Sequence, residues 1–245
     1  MGKVPRRLEP ERGCIRVRDM KTVALFDVDG TLVTTGGAGR RAMRAAFGEV
    51  LDAPHALDDV KLGGKTDPMI LREGLTVIGR EFEPTLVAEI LARYLMRLER
   101  ELERTAGYHV FDGVRTMLDH ADALSVAVGL GTGNVERGAR LKLARGDLNT
   151  RFAFGGFGSD AEDRTELVRA GATRGAEYLG VPLAECRVVV IGDTPRDVRA
   201  AHGIGAVCLA VATGGYANDA LEKAGADLVV DRLDEPQALA FLEGR

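Results

Sequence analysis

With 245 residues, 45% of them hydrophobic and 29% charged, the chain can bury a sizeable core and does not have the composition of a disordered polymer. A net charge of −4 argues against a general nucleic-acid binder, and no apolar run approaches membrane-spanning length. Cys14, Cys186 and Cys208 form no CxxC pair and cannot all pair within the chain, which points to unpaired thiols in a reducing cytoplasm.

The N-terminal stretch carries Arg6, Arg7, Glu9, Glu11, Arg12, Arg16 and Arg18 without an apolar core, so it does not read as a secretory signal. Residues 1–19 are expected to be a poorly ordered tail, with Met20 a candidate natural start. Val23-Ala24-Leu25-Phe26 then reads as a fully buried parallel strand. It ends in two carboxylates one residue apart, Asp27 and Asp29, followed by Gly30 and Thr31. Carboxylates are rarely buried without a partner, and ligands of open α/β sheets bind at the carboxyl ends of strands. A pair at such a strand tip suits a divalent cation, a nucleophile or both.

Two phosphate-binding patterns fail on position. Gly37-x-Gly39-x-x-Ala42 does not directly follow a strand, and Asp59 stands where a P-loop ending Gly64-Lys65-Thr66 needs its first glycine. The glycines of 36–39 read instead as a hinge. Residues 38–106 carry three apolar stripes at helical spacing, the longest running from Leu86 to Leu102, and these suit helix–helix packing. Asp67, before Pro68, reads as a helix N-cap.

From Asp112-Gly113 onward strands and helices alternate. Helices are predicted over 114–123, 135–144, 165–179 and after Pro195, and strands over 126–130, 152–157, 188–191, 207–211 and 228–230. Gly131-Thr132-Gly133-Asn134 joins a strand to a helix, where a hydroxyl and free N–H groups make an anion site, or where Asn134 simply caps the helix. Gly192-Asp193-Thr194-Pro195-Arg196-Asp197 again closes an apolar strand, with two carboxylates near one helix N-terminus that can share a cation. His55, His109, His120 and His202 form no cluster and read as packing or surface residues.

Asp27-Val28-Asp29-Gly30-Thr31 resembles the first motif of the haloacid dehalogenase-like superfamily of phosphohydrolases, and the other three motifs follow in order. The resemblance covers nearly everything from residue 20 onward. It implies a doubly wound, Rossmann-like α/β core over 20–35 and 112–245, with an inserted all-helical cap domain over 36–111. It also implies a Mg²⁺-dependent phosphatase acting on a small phosphorylated metabolite. Asp27 would be the nucleophile and Asp29 the acid/base. Thr132, with Gly133 and Asn134, would bind phosphoryl oxygens. Asp193 would bind Mg²⁺ with Asp27 and the backbone carbonyl of Asp29, and Asp197 would support the metal's water shell or the basic residue. The third motif usually supplies a lysine. Here Arg164, at a helix start, is the candidate, while the rival Lys142 reads as a mid-helix surface residue whose loss should matter little. Leu62-Gly63-Gly64-Lys65-Thr66-Asp67 is similar to a cap loop of phosphoglycolate phosphatase-like members, which makes Lys65 and Thr66 candidate substrate contacts. No nucleic-acid or membrane partner is expected, and the chain is expected to be a cytoplasmic monomer or homodimer. A phosphomutase would use the same residues. A dehalogenase has no need of the Asp193/Asp197 pair, and a phospho-aspartyl receiver module lacks a helical insertion of this size.

Overall fold

The structure is a computed structural model, described over residues 20–245; the expected tail lies outside the described residues. The chain begins with β1 (Lys21–Phe26) and β2 (Val33–Thr35), then passes through α1 (Ala38–Leu51), α2 (Asp67–Val77) and α3 (Pro84–Arg104). It returns through β3 (Tyr108–Val110) to α4 (Val114–Ala123), β4 (Ala127–Thr132), α5 (Glu136–Ala144), β5 (Phe154–Phe157) and α6 (Arg164–Leu179). The last part holds β6 (Cys186–Gly192), α7 (Pro195–Gly203), β7 (Val207–Val211), α8 (Asn218–Lys223), β8 (Leu228–Val230) and α9 (Pro236–Leu242).

Six strands form one parallel sheet in the order β5-β4-β1-β6-β7-β8. β1 is its centre, and the chain winds away from it to both sides. Because side chains alternate across a strand, β1 supplies both faces. Ala24 and Phe26 join a core with Met117 and Leu118 of α4, Ala139 of α5 and Leu242 of α9. Val23 and Leu25 join another with Leu167 and Val168 of α6 and Val198 of α7. Helices therefore cover both faces, which is why β1 reads as a continuous apolar run.

The three helices between β2 and β3 have a hydrophobic cluster of their own, including Phe47, Leu71, Ile90, Tyr94 and Leu98. Their stripes fall where the helical periodicity places them. The chain crosses into and out of this bundle near Gly36–Gly39 and Asp112–Gly113, the places expected to act as hinges. Next to those residues the two crossings run side by side as an antiparallel ladder, Val33 opposite Val110 and Thr35 opposite Tyr108. Gly36 has a φ of 56° and packs so closely on Gly107 that a Cβ would lie 2.7 Å from the Gly107 Cα. Only glycine serves there.

α6 is pressed against β5 by a second close approach. A Cβ on Gly156 would overlap the Leu167 carbonyl oxygen and lie 2.8 Å from the Gly171 nitrogen. This contact sets the position of α6 and of Arg164 at its start. Gly156→Ala is expected to destabilise the fold by about 2 kcal/mol or more, since backbone must move to admit the methyl. Equilibrium urea unfolding checks this, and an unchanged midpoint would mean the helix is not held there.

Candidate active site

Three neighbouring strands end at one level. Phe26 stands opposite Leu130 of β4 and Ile191 of β6, so the next residues of β1 and β6 and the last of β4 surround one point. Asp27 takes its position from its backbone N–H, which donates to the Ile191 carbonyl at 2.9 Å. Its Oδ1 accepts from the Val28 N–H at 2.8 Å, and the side chain is buried. The turn that follows needs Gly30, whose φ is 84° and whose missing Cβ leaves room for Asp193. Asp193, one residue past β6, accepts at Oδ1 from the Thr31 hydroxyl (3.1 Å). A Cβ on Gly30 would lie 2.5 Å from its Oδ2, and one on Gly214 would overlap that oxygen. Thr31 and Gly214 had no predicted role; the first sits in the recognised motif, while the second follows β7 with no local signal.

Each motif-one carboxylate has its own cation. Arg164 is 8% exposed and spans two carboxylates: Nη2 lies 2.7 Å from Asp27 Oδ2, while Nε and Nη2 donate to Asp197 Oδ1 at 2.9 and 2.5 Å. The other Asp197 oxygen accepts from the Thr194 N–H and hydroxyl, at 3.0 and 2.7 Å. Both Asp197 oxygens are thus engaged, one by Arg164 and the other by Thr194.

Lys142 is not a surface residue. It is 4% exposed, and its ammonium donates to Asp29 Oδ2 and to Asn134 Oδ1, both at 2.6 Å. The expectation that its loss matters little is therefore withdrawn. A signal was present: Val135, Ala139, Lys142 and Leu143 share the buried stripe of α5, and Lys142 is its one charged member.

Thr132 is fully buried, and its hydroxyl reaches Asp27 and accepts from Asn134 Nδ2 at 2.8 Å. Asn134 does not cap α5. Its amide also donates to Asp29 Oδ2 at 2.8 Å, and Val135 occupies the cap position.

The 62–67 loop closes the site from above. Gly133 O accepts from the Asp67 N–H (2.7 Å), and Gly64 O accepts from Arg164 Nη1 (3.2 Å). Asp67 was expected to cap α2, but Thr66 does so, its hydroxyl accepting from the Met69 N–H at 3.3 Å. The Asp67 carboxylate instead crosses to α5 and accepts from the Val135 N–H at 2.8 Å, supplying an orphan helix amide. Thr66 donates to the Glu162 carbonyl at 3.0 Å and is fully buried, so its hydroxyl supports the loop and does not face the cavity. Lys65 does line the cavity, tied to Glu73 at 2.5 Å. The cavity is about 360 Å³, with Asp27, Asp29, Arg164 and Asp193 on its floor and Met43, Ile70 and Tyr94 among its cap-side walls.

Burial pushes the Asp27 carboxyl up to about 6, against the pull of Arg164, and Asp193 is raised well above the usual range by burial and by its neighbours Asp197 and Asp27. Burial also raises Asp67 to about 6, although Lys142 and the Val135 amide favour its charged form. Burial works against the charge of Arg164, but Asp197 and Asp27 outweigh it and raise that pKa. Asp27, Asp193 and Asp197 offer oxygens within 4.8 Å of one another, and one guanidinium faces all this negative charge. The donor set is all oxygen, and Asp193 Oδ2 is cradled by Gly30 and Gly214 and takes no hydrogen bond among the described residues. These residues fit a small hard cation such as Mg²⁺.

A family model described as haloacid dehalogenase-like hydrolase matches residues 21–205. No match was found among curated proteins. Among solved structures, CbbY from Rhodobacter sphaeroides in complex with phosphate is similar at 21% identity and a TM-score of 0.70, with 91% of this chain and 100% of that chain covered. A protein described as a predicted phosphoglycolate phosphatase from Haemophilus somnus aligns at 14% identity and a TM-score of 0.66, covering 90% and 98%. A hydrolase from Pseudomonas syringae aligns at 23% identity and a TM-score of 0.62, covering 87% and 95%. These likenesses establish the fold.

The raised carboxyls have a stability consequence. Asp27 titrates at 3.8 when unconstrained and at about 6 in the fold, so the folded state binds the extra proton between those values. Metal-free stability therefore falls as pH rises through that window, by on the order of 3 kcal/mol from this group alone. Asp27→Asn is expected to melt higher than the wild type above pH 6 in chelator and to flatten the pH dependence. Thermal melts from pH 4 to 8 read it, and a wild-type curve that rises with pH would contradict the burial that raises the Asp27 carboxyl.

Proposed function

Since the chain belongs to the haloacid dehalogenase-like hydrolases, we propose that it is a Mg²⁺-dependent phosphatase of a small phosphomonoester, working through an aspartyl-phosphate. The observation that carries this reading is the buried carboxylate cluster at the ends of β1 and β6, faced by the Arg164 guanidinium and lying beneath a partly open cavity. A cavity of about 360 Å³ suits a small metabolite. We take 20–35 and 112–245 as the catalytic core and 36–111 as a cap over it. Among the described residues no helix is long and apolar enough to cross a membrane, and the free buried thiols of Cys186 and Cys208 favour the cytoplasm.

In this mechanism Asp27 attacks phosphorus and the bond to the leaving oxygen breaks. Asp29, two residues on and at the cavity edge, gives its proton to that oxygen. It then takes a proton from water, whose oxygen attacks phosphorus and returns the electron pair to Asp27. Thr132 and Arg164 contact Asp27 and hold the phosphoryl oxygens beside it, while the loop at Gly64 keeps bulk water out. Mg²⁺, when bound, would be held by Asp27, Asp193 and the Asp29 carbonyl and would offset the negative charge of carboxylate and phosphate. Asp197 serves by fixing Arg164.

Activity on p-nitrophenyl phosphate is expected to vanish in EDTA and return with Mg²⁺, and Asp27→Asn is expected to form no hydroxylamine-labile phosphoenzyme. Full turnover in chelator, or a phosphoenzyme on Asp27→Asn, sinks the reading. Arg164→Ala leaves Asp27 and Asp197 unpaired and is expected to lose about 10²-fold or more in kcat. Arg164→Lys recovers part of that loss, because a single ammonium cannot serve both carboxylates and the Gly64 carbonyl. Near-normal turnover by Arg164→Ala would remove this residue from the reaction.

A further inference from the structure

We propose that Lys142 is the positioning residue of the acid/base carboxylate. Its ammonium fixes one oxygen of Asp29, so that the other faces the reacting group. This rests on the phosphatase reading above. Asp29 differs from Asp27 in having a side chain that is 43% exposed, so packing alone does not hold it. Its Oδ2 accepts from Lys142 at 2.6 Å and from Asn134 at 2.8 Å, and Lys142 in turn grips Asn134 Oδ1 at 2.6 Å. The three groups form a closed ring of hydrogen bonds. Asp29 Oδ1 takes no hydrogen bond among the described residues and is left to the cavity that Asp29 and Lys142 both line.

Besides Asp29, the charge of Lys142 favours the ionised form of the buried Asp67, but its hydrogen bonds go to Asp29 and Asn134. The position lies on the buried stripe of α5, beside Ala139 and Leu143, where an apolar side chain avoids the cost of desolvating an ammonium. The nucleophile does not need it either, because Arg164 already serves Asp27 and Asp197. Lys142 lies where the core meets the cap entrance: a Cβ on Gly39 would stand 3.6 Å from Nζ, and the charge of Lys142 is felt at Asp67. Asp29 and Asp67 are titratable groups that face it, and the buried Tyr94 lines the same cavity.

The consequence is specific to one step. Nitrophenolate leaves without a proton, so phosphorylation of Asp27 by p-nitrophenyl phosphate does not require a placed Asp29. The hydrolytic step does: water loses a proton to Asp29, its oxygen bonds to phosphorus, and the bond from phosphorus to Asp27 breaks. Rapid-quench measurement on the Mg²⁺-loaded protein separates the two. Lys142→Met, which keeps the buried volume, is expected to form phosphoenzyme within about 3-fold of the wild-type rate. It is expected to hydrolyse it about 10-fold more slowly or worse, so that phosphoenzyme accumulates. Lys142→Arg is expected to recover part of the hydrolytic rate. Equal loss in both steps, no loss in either, or failure of both variants to fold would make Lys142 a structural ion-pair partner and overturn the proposal. The wild-type arm tests the parent reading separately: a wild type that shows no Mg²⁺-dependent phosphoenzyme and no phosphate release overturns that reading, and the positioning role with it.

Discussion

The site is organised by one buried guanidinium. Arg164 holds Asp27 and Asp197 together at the end of the sheet, and a buried carboxylate left without a cation costs several kcal/mol. Much of the local architecture serves this contact. The close approach of Gly156 and Gly171 brings α6 against β5, which carries Arg164 to β1. Thr194 and Asp197 form a reciprocal capping box at the start of α7, which fixes the second carboxylate. The arginine has a forked head with donors for both partners and a further one for the Gly64 carbonyl, a geometry that a lysine cannot copy.

That last bond extends the consequence to the other hydrophobic cluster. The helices α1 to α3 have their own core, and the 62–67 loop is among the contacts that place them over the sheet, with Leu141 of α5 and the β2–β3 ladder. The loop's contacts are polar and converge on the site: Gly64 O on Arg164, the Asp67 N–H on Gly133 O, and the Asp67 carboxylate on the amide of Val135, the cap residue of α5. Outside, Arg72 and Glu162 add a paired contact at 2.8 and 2.7 Å, exposed enough to contribute little in salt. The groups that bind the loop are thus neighbours of the groups that face the cavity, which is the arrangement a cap needs to respond to what the cavity holds.

The core was legible because each strand carries an apolar run that ends in polar residues needing a purpose, as Phe26-Asp27 and Ile191-Gly192-Asp193 show. The β2–β3 ladder was not, since three residues such as Val33-Thr34-Thr35 carry no periodicity and pair only because the chain must leave and re-enter the sheet side by side. Both Thr66 and Asp67 are good capping residues, and no local rule separates them. The choice was made by a partner 68 residues away, the Val135 amide. Lys142 is the instructive miss. A lysine in mid-helix is usually solvated, but its place on the Val135–Ala139–Leu143 stripe is the better guide.

The two carboxylates of the first motif end in opposite environments although one residue separates them. Asp27 still belongs to the strand: its N–H completes the ladder to Ile191, its side chain is buried, and both of its oxygens are engaged. Asp29 lies past the last buried strand residue, and only one of its oxygens is held, by Lys142 and Asn134. A nucleophile gains from being immobile and in line, because displacement at phosphorus is sensitive to angle. A proton carrier must exchange with a leaving group and then with water, so it needs an open oxygen at the cavity edge. On the proposed mechanism, where the strand ends is therefore what divides the work. The Gly30 turn can put Asp29 at the edge only because Gly30 itself yields the space that Asp193 occupies.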